Sequence, residues 1–265
     1  MTVSSLFNAL SKTEYPPRAV YHFSSTDSTN RQARLTAKER DAHDVRENER
    51  GIGEIFIADG QTAGRGRLDR RFVSLPGAGL YFTVNLKGDE VKRPEALTPT
   101  VAVATAEAIE MMSGAPLGIK WVNDIYLKGK KLAGILCESH IEKGERYYLI
   151  GIGINLKTAF RGAPVDEIAT DLEAHGFKIS AEELLAKTYE RIIARLSESD
   201  PPTEEYRARS ILTNRRVLVS EVSSGDYYAT ALGINDDFSL SVLTERGEER
   251  RLTFGEVSLK IDNNN

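Results

Sequence analysis

The chain has 265 residues, 40% hydrophobic and 28% charged, with 21 Gly and 9 Pro. That composition excludes disordered, collagen-like and low-complexity chains and suffices for one large core plus a small appendage. With 35 basic against 39 acidic side chains the net charge is −4, so nothing global draws the protein onto nucleic acid or an anionic membrane.

The one cysteine, Cys137, cannot close an intramolecular disulfide, and with four scattered histidines it offers no zinc or iron-sulfur spacing. There is no basic-then-apolar leader and no run of about 18 apolar residues. The expectation is a cytoplasmic protein in a reducing compartment, with no membrane span.

Residues up to Pro16-Pro17 are too few for an independent module such as a DNA-reading winged helix. A strand is predicted over Val20–Phe23, then a helix from near Ser28 toward Glu39 or beyond, with the mixed-sign run Lys38–Arg50 as a solvated helix end and loop. Strand Glu54–Ala58, a glycine-arginine loop and strand Leu80–Leu86 follow. Thr98 and Pro99 read as N-cap and first helical residue, with Val101, Ala104, Ala108, Ile109 and Met112 apolar and Gly114 as the stop.

Strands Leu117–Trp121, Lys131–Glu138 and Tyr147–Ile154 come next, then a capping box of Ser180 and Glu183 opening a helix with Leu184, Leu185, Ile192, Ile193 and Leu196. The pattern predicts an α+β fold whose sheet is mixed and largely antiparallel, with helices packed on it. Pro201-Pro202 marks a weak boundary. After Asn214, short strands Val217–Val222, Tyr227–Leu232, Ser239–Leu243 and Arg250–Phe254 predict a small β-barrel or hairpin stack.

Four segments carry chemistry. In Asp59–Phe72, Gly64 and Gly66 flank Arg65, and Arg67, Arg70 and Arg71 follow. A backbone that approaches a ligand closely and several guanidinium forks make an anion-binding loop suited to phosphates. On composition alone an exposed turn or an RNA-touching loop is as good a reading, and the Walker A pattern is absent. In Lys120–Asp124 and Gly129–Glu138, Lys131 opens an apolar strand with Gly134 inside it, able to hold a point charge beside a close-passing ligand. Asn123 and Asp124 are placed to orient that lysine or a magnesium ion; the plain alternative is a turn followed by a solvated strand start.

In Gly151-Ile-Gly-Ile-Asn155, alternate glycines clear one strand face for a flat ring, and the dinucleotide fingerprint is missing. Ser28-Thr29-Asn30, taken alone, is a helix N-cap.

Together and in this order, Ser28-Thr29-Asn30, Gly64-Arg-Gly-Arg67, Lys120-Trp-Val-Asn-Asp124, Lys131-Leu-Ala-Gly-Ile-Leu-Cys-Glu138 and Gly151-Ile-Gly-Ile-Asn155 resemble the motifs of biotin protein ligases. The resemblance covers most of the chain. It implies a class II synthetase-like (biotin/lipoate ligase) catalytic domain over residues 18–212 after a short extension over 1–17, and a small Src-homology-3-like domain over 213–265. It implies ATP with magnesium, biotin as substrate, biotinyl-5′-adenylate as intermediate, and a lysine of a biotin carboxyl carrier protein of acetyl-CoA carboxylase or a related carboxylase as acceptor. A DNA-binding domain is not expected; homodimers are common in the family.

By the same matching, Lys131, Arg67 and Asp124 are the catalytic candidates. Ser28, Thr29, Asn30, Gln61, Arg65, Gly66, Arg67, Lys131, Gly134, Gly151 and Gly153 would bind biotin, with the three last glycines making room for ligand. Arg67, Arg70, Phe72, Asn123, Lys131 and Asn155 would serve ATP, and Asn123 and Asp124 the magnesium. Asp69 stands at the loop's third glycine and Phe72 at its tryptophan, which predicts a backbone cost of about 1 kcal/mol at Asp69 if φ > 0 is required there. A lipoate-type ligase, whose Arg-Arg-x-x-Gly-Gly-Gly loop is absent, a non-catalytic biotin-binding homologue and an RNA-binding protein are the competing readings.

Overall fold

The computed structural model describes residues 2–35, 44–48, 51–157, 167–221, 225–253 and 257–261. An eight-stranded sheet in the order β2-β1-β3-β4-β8-β7-β6-β5 forms its larger part. The strands are β1 (Ala19–Phe23), β2 (Asp44–Glu47), β3 (Glu54–Ala58), β4 (Gly79–Lys87), β5 (Gly118–Lys120), β6 (Asp124–Leu127), β7 (Lys130–Glu142) and β8 (Glu145–Asn155). Only β1 and β3 pair in parallel; the other neighbours are antiparallel, as the sequence pattern predicts.

Helices α1 (Val3–Leu10), α3 (Leu97–Ser113) and α4 (Ala181–Ser197) cover one face of this sheet, and α2 (Thr29–Arg34) serves the site. Helix α3 is apolar nearly all round and accordingly buried. It starts at Leu97, after a 3-10 turn over Pro94–Ala96, and stops at Gly114 with φ +69°, as expected for a left-handed C-cap. Ser180 caps α4 by accepting from the Glu183 amide at 3.4 Å. Residues 3–10, read as part of a short extension, send Val3, Leu6 and Leu10 into the main core.

The second sheet is antiparallel, in the order β12-β11-β10-β9-β13, from β9 (Arg216–Glu221), β10 (Gly225–Ile234), β11 (Leu240–Thr244), β12 (Glu249–Leu252) and β13 (Val257–Ile261). It is the small C-terminal β-domain, and β13 closes on β9 beyond the four strands expected. Between the sheets stands α5 (Thr203–Arg209), where the sequence reading has only a boundary.

Three further expectations are corrected. Helix α2 ends at Arg34, because Leu35 is extended with ψ 146°. Part of the expected loop Lys38–Arg50 is strand β2, pairing with β1 from His22↔Asp44 to Ala19↔Glu47; Lys38–His43, Glu49 and Arg50 lie outside the described residues. The turn after β5 leads into a strand, β6, which supplies the pairing Asp124↔Gly134. Among the described residues no helix is long and apolar enough to cross a membrane.

Candidate active site

One cleft of about 430 Å³ opens on the sheet where the glycine-arginine loop folds over β7 and β8. Ser28, Thr29, Asn30, Gln61, Arg65, Gly66, Arg67, Arg70, Phe72, Asn123, Asp124, Lys131, Gly134, Gly151 and Gly153 all line it. Segments spread over more than 120 positions thus meet at one place. Asn155 does not line it: the residue is buried and its amide donates to the Thr170 carbonyl at 2.9 Å.

One end of the cleft is lined by the neutral polar side chains of Ser28, Thr29, Asn30 and Gln61, with the Glu138 carboxylate behind Asn30 and Arg65 3.9 Å from that carboxylate. Ser28 sits at the N-cap position of α2 but makes no capping hydrogen bond, so its hydroxyl is not used for the helix. The Thr29 amide donates to Gln61 Oε1 at 2.9 Å, and Gln61 Nε2 donates to Ser74 Oγ at 2.9 Å. Asn30 is pinned on three sides. Its Nδ2 donates to Glu138 Oε2 at 2.9 Å and to the Leu136 carbonyl at 3.3 Å, and its Oδ1 accepts from the buried Thr83 hydroxyl at 2.6 Å. Such a fixed array of donors and acceptors suits a neutral polar ring.

The other end is cationic. Lys131 Nζ lies 2.7 Å from Asp124 Oδ1, both side chains partly buried, and 5.7 Å from the centre of the Phe72 ring. Its backbone is clamped: the Lys131 amide donates to the Ile168 carbonyl and its carbonyl accepts from Thr170, each at 2.9 Å. Arg67 donates to Asn123 Oδ1 at 3.4 Å. Burial pushes its guanidinium below the ordinary value, opposed by the charge of Asp124. The Asn123 side chain is held in turn by donating to the Ile135 carbonyl at 2.7 Å.

The loop is closed by its own backbone: Gly66 N donates to Arg70 O at 2.7 Å and Phe72 N to Gly64 O at 2.9 Å. Positive φ falls on Leu68, at +54°. The glycines expected to make room for ligand are in contact with the protein itself: a Cβ on Gly151 would overlap Asn30 Oδ1, and one on Gly153 would stand 2.5 Å from the Phe72 ring.

Asp124 is ion-paired with Lys131 and Asn123 Oδ1 faces Arg67. Among the described residues no three His, Cys, Asp or Glu side chains gather as metal ligands; magnesium carried on substrate phosphates needs only one or two protein carboxylates, and Asp124 is a carboxylate lining this cleft.

Sequence reasoning missed Thr83 and Glu138, which fix Asn30, and the lining residues Trp121, Tyr126, Leu136, Ile152, Leu68 and Ile168. Glu138 stood at the end of a quoted motif and Trp121 inside another, so position in the motif was the available signal. Thr83 gave none: it reads as one more member of a buried strand.

Residues 23–155 match the biotin/lipoate A/B protein ligase family. The chain is 34% identical over 225 residues to the bifunctional ligase/repressor of Bacillus subtilis, covering 80% of this chain and 68% of that one. It is 32% identical over 197 residues to the biotin–[acetyl-CoA-carboxylase] ligase of Mycobacterium tuberculosis, covering 69% and 71%. Among solved structures, the biotin protein ligase of Aquifex aeolicus in complex with biotin and ATP superposes with a TM-score of 0.73 at 26% identity, over 92% of this chain and 99% of that one.

Proposed function

The chain belongs to the biotin/lipoate A/B protein ligase family and is a biotin protein ligase, and we propose that it activates biotin as biotinyl-5′-adenylate and transfers it to a lysine of a biotin carboxyl carrier protein. The observation that carries this reading is the placement of Lys131. A lysine held 2.7 Å from Asp124 shares one cleft with Arg67 and with the neutral polar set Ser28, Thr29 and Gln61. A neutral polar ring and an acyl phosphate need that combination.

In the first step a carboxylate oxygen of biotin attacks the α-phosphorus of ATP, and the bond to the bridging oxygen of the β-phosphate breaks to release pyrophosphate. Negative charge grows on the α-phosphate oxygens and on the leaving group. Lys131 and Arg67 stabilise it from fixed positions, which requires no reorganisation during the reaction. Asp124 aims the Lys131 ammonium. The loop carrying Arg65, Gly66 and Arg67 shields the mixed anhydride from water, while Arg70, Phe72 and Asn123 face the nucleotide; Asn155 acts from behind, through Thr170. Magnesium bound to the nucleotide phosphates would offset part of their charge, with Asp124 and Asn123 as the residues that would hold it.

In the second step the neutral amine of the acceptor lysine attacks the acyl carbon. The bond to AMP breaks, AMP leaves, and the amine loses a proton to form the amide. In this reading residues 18–212 carry both steps and 213–265 form the C-terminal domain.

The test is to mix purified protein with ATP, magnesium and either biotin or lipoate, without acceptor, and to search by mass spectrometry for an acyl-adenylate. Biotinyl-adenylate is expected. Lipoyl-adenylate alone would replace the substrate, and folded protein yielding neither would overturn the reaction.

A further inference from the structure

The turn that carries Asn123 and Asp124 is held from outside the cleft. Trp121 Nε1 donates to the Phe238 carbonyl at 2.8 Å, and the Tyr206 hydroxyl donates to the Val122 carbonyl at 3.1 Å, both bonds buried. The two anchors touch each other: the rings of Tyr206 and Phe238 pack edge to face, with centroids 5.5 Å apart and planes at 89°. Trp121, Val122, Tyr206 and Phe238 thus close a circuit linking the β5–β6 turn, α5 and the C-terminal β-domain.

The anchors are themselves braced. Phe238 has φ +62° in the β10–β11 turn, where its amide donates to Asn235 O and the Asn235 amide to Ser239 O, each at 2.9 Å. Arg251 ties the same turn by Nε to Ser239 Oγ at 2.6 Å and by its ion pair with Asp237 at 2.6 Å. Arg207, next to Tyr206 on α5, donates to the Ile234 carbonyl at 2.8 Å. On the cleft side, Asn123 exchanges two bonds with Ile135 and Asp124 pairs with Gly134 across the strands. A shift of the turn therefore moves Asp124 relative to Lys131.

We infer that Tyr206 and Phe238 are positioning residues through which the C-terminal β-domain sets the Asp124–Lys131 geometry without touching substrate. The inference rests on the assignment of Lys131 to the adenylation step for its kinetic consequence, and on the turn alone for its structural one. A brace of this kind acts on turnover rather than on ring binding, because the polar end formed by Thr29, Asn30 and Gln61 is held by Ser74, Thr83, Leu136 and Glu138.

Two measurements on the full chain separate these levels. Hydrogen-exchange mass spectrometry of Tyr206→Phe, which removes the hydroxyl donor and keeps the ring, and of Trp121→Phe, which removes the Nε1 donor and keeps a smaller aromatic side chain, is expected to speed exchange in peptides spanning 120–126 and 131–135 and to leave 54–58 unchanged. Unchanged exchange in the turn, or an increase spread over both sheets, overturns the brace whether or not the enzyme turns over.

Biotin-dependent pyrophosphate exchange with Tyr206→Phe is expected to lose five- to tenfold in kcat, with KM for biotin moving less than twofold. In an Asp124→Asn background the same change is expected to cost less than twofold. Equal losses in both backgrounds overturn the route through Asp124. Absence of biotin-dependent exchange in the unaltered protein overturns the reaction assignment and leaves the brace to be decided by hydrogen exchange.

Discussion

The ring of Phe72 rests on Gly153 so closely that a Cβ there would come 2.5 Å from ring carbon Cε1. The next glycine along the strand is tight against a different partner, Asn30, whose amide is fixed by Thr83, Leu136 and Glu138. The two alanine substitutions should therefore differ in kind. Gly153→Ala is relieved by moving a loop side chain, so we expect a stability loss under about 1 kcal/mol but at least a tenfold loss in adenylate formation. Gly151→Ala pushes on a pinned group and should cost about 1–3 kcal/mol of folding stability as well. Denaturant melts and adenylate yields of both variants check this, and a Gly153→Ala protein less stable than Gly151→Ala would contradict it.

That contrast also shows what the sequence made legible. Alternating glycines announced a strand face cleared for close approach, and the structure places the pinned Asn30 and the loop residue Phe72 against it; pattern gives the clearance but not what fills it. Strand β3 is found where expected because an apolar run bounded by glycines has one simple reading. Strand β6 was hidden because four residues beginning at an Asn-Asp pair look like a turn. Helix α1 was legible and went unread: Val3, Leu6 and Leu10 are spaced for one helical face behind a Thr2 cap. Helix α5 likewise shows Glu204 and Glu205 in its first turn after a proline pair. Thr83 lies beyond any local pattern, since its role is a contact with Asn30, 53 positions away, and Glu138 shows only as the last residue of its motif, with nothing local to name Asn30 as its partner.

Lys131→Ala removes the ammonium held by Asp124 and should lower the rate of adenylate formation by about 3–4 kcal/mol of transition-state stabilisation, the scale of one electrostatic donor in a fixed site. Asp124→Asn keeps the ammonium and loosens it, so a smaller loss is expected. Biotin-dependent pyrophosphate release is the readout. Near-normal release from Lys131→Ala would remove Lys131 from its role.

Glu107 on α3 receives hydrogen bonds from Arg191 and Arg195 of α4. Burial alone would raise its pKa, but the hydrogen bonds from Arg195 and Arg191 outweigh burial and hold the carboxylate below its ordinary value of 4.5. A depressed folded-state pKa contributes stability that is present above 4.5 and is lost as pH falls through the lower folded-state value. Glu107→Gln should thus cost about 1.5–3 kcal/mol at neutral pH, the scale of hydrogen bonds to a charged group, because Arg191 loses its carboxylate while Arg195 keeps Glu198 and Glu205, and progressively less on acidification below 4.5. Chemical denaturation across pH 3–7 tests the sign, and a gap that widens in acid would refute the ion-pair account of the α3–α4 packing.

The loop backbone gives an expectation at Leu68. Leu68 sits at φ +54°, ψ +42°, a region that costs a side chain about 1–2 kcal/mol and glycine little. Glycine adds unfolded-state entropy worth about 0.4–1 kcal/mol against it, so Leu68→Gly should favour the closed loop slightly. If the closed loop is what retains the adenylate, Leu68→Gly should label an unrelated bystander protein with biotin less than the parent does. Folded Leu68→Gly that labels the bystander as much as the parent, or more, would remove the assignment of strain to Leu68.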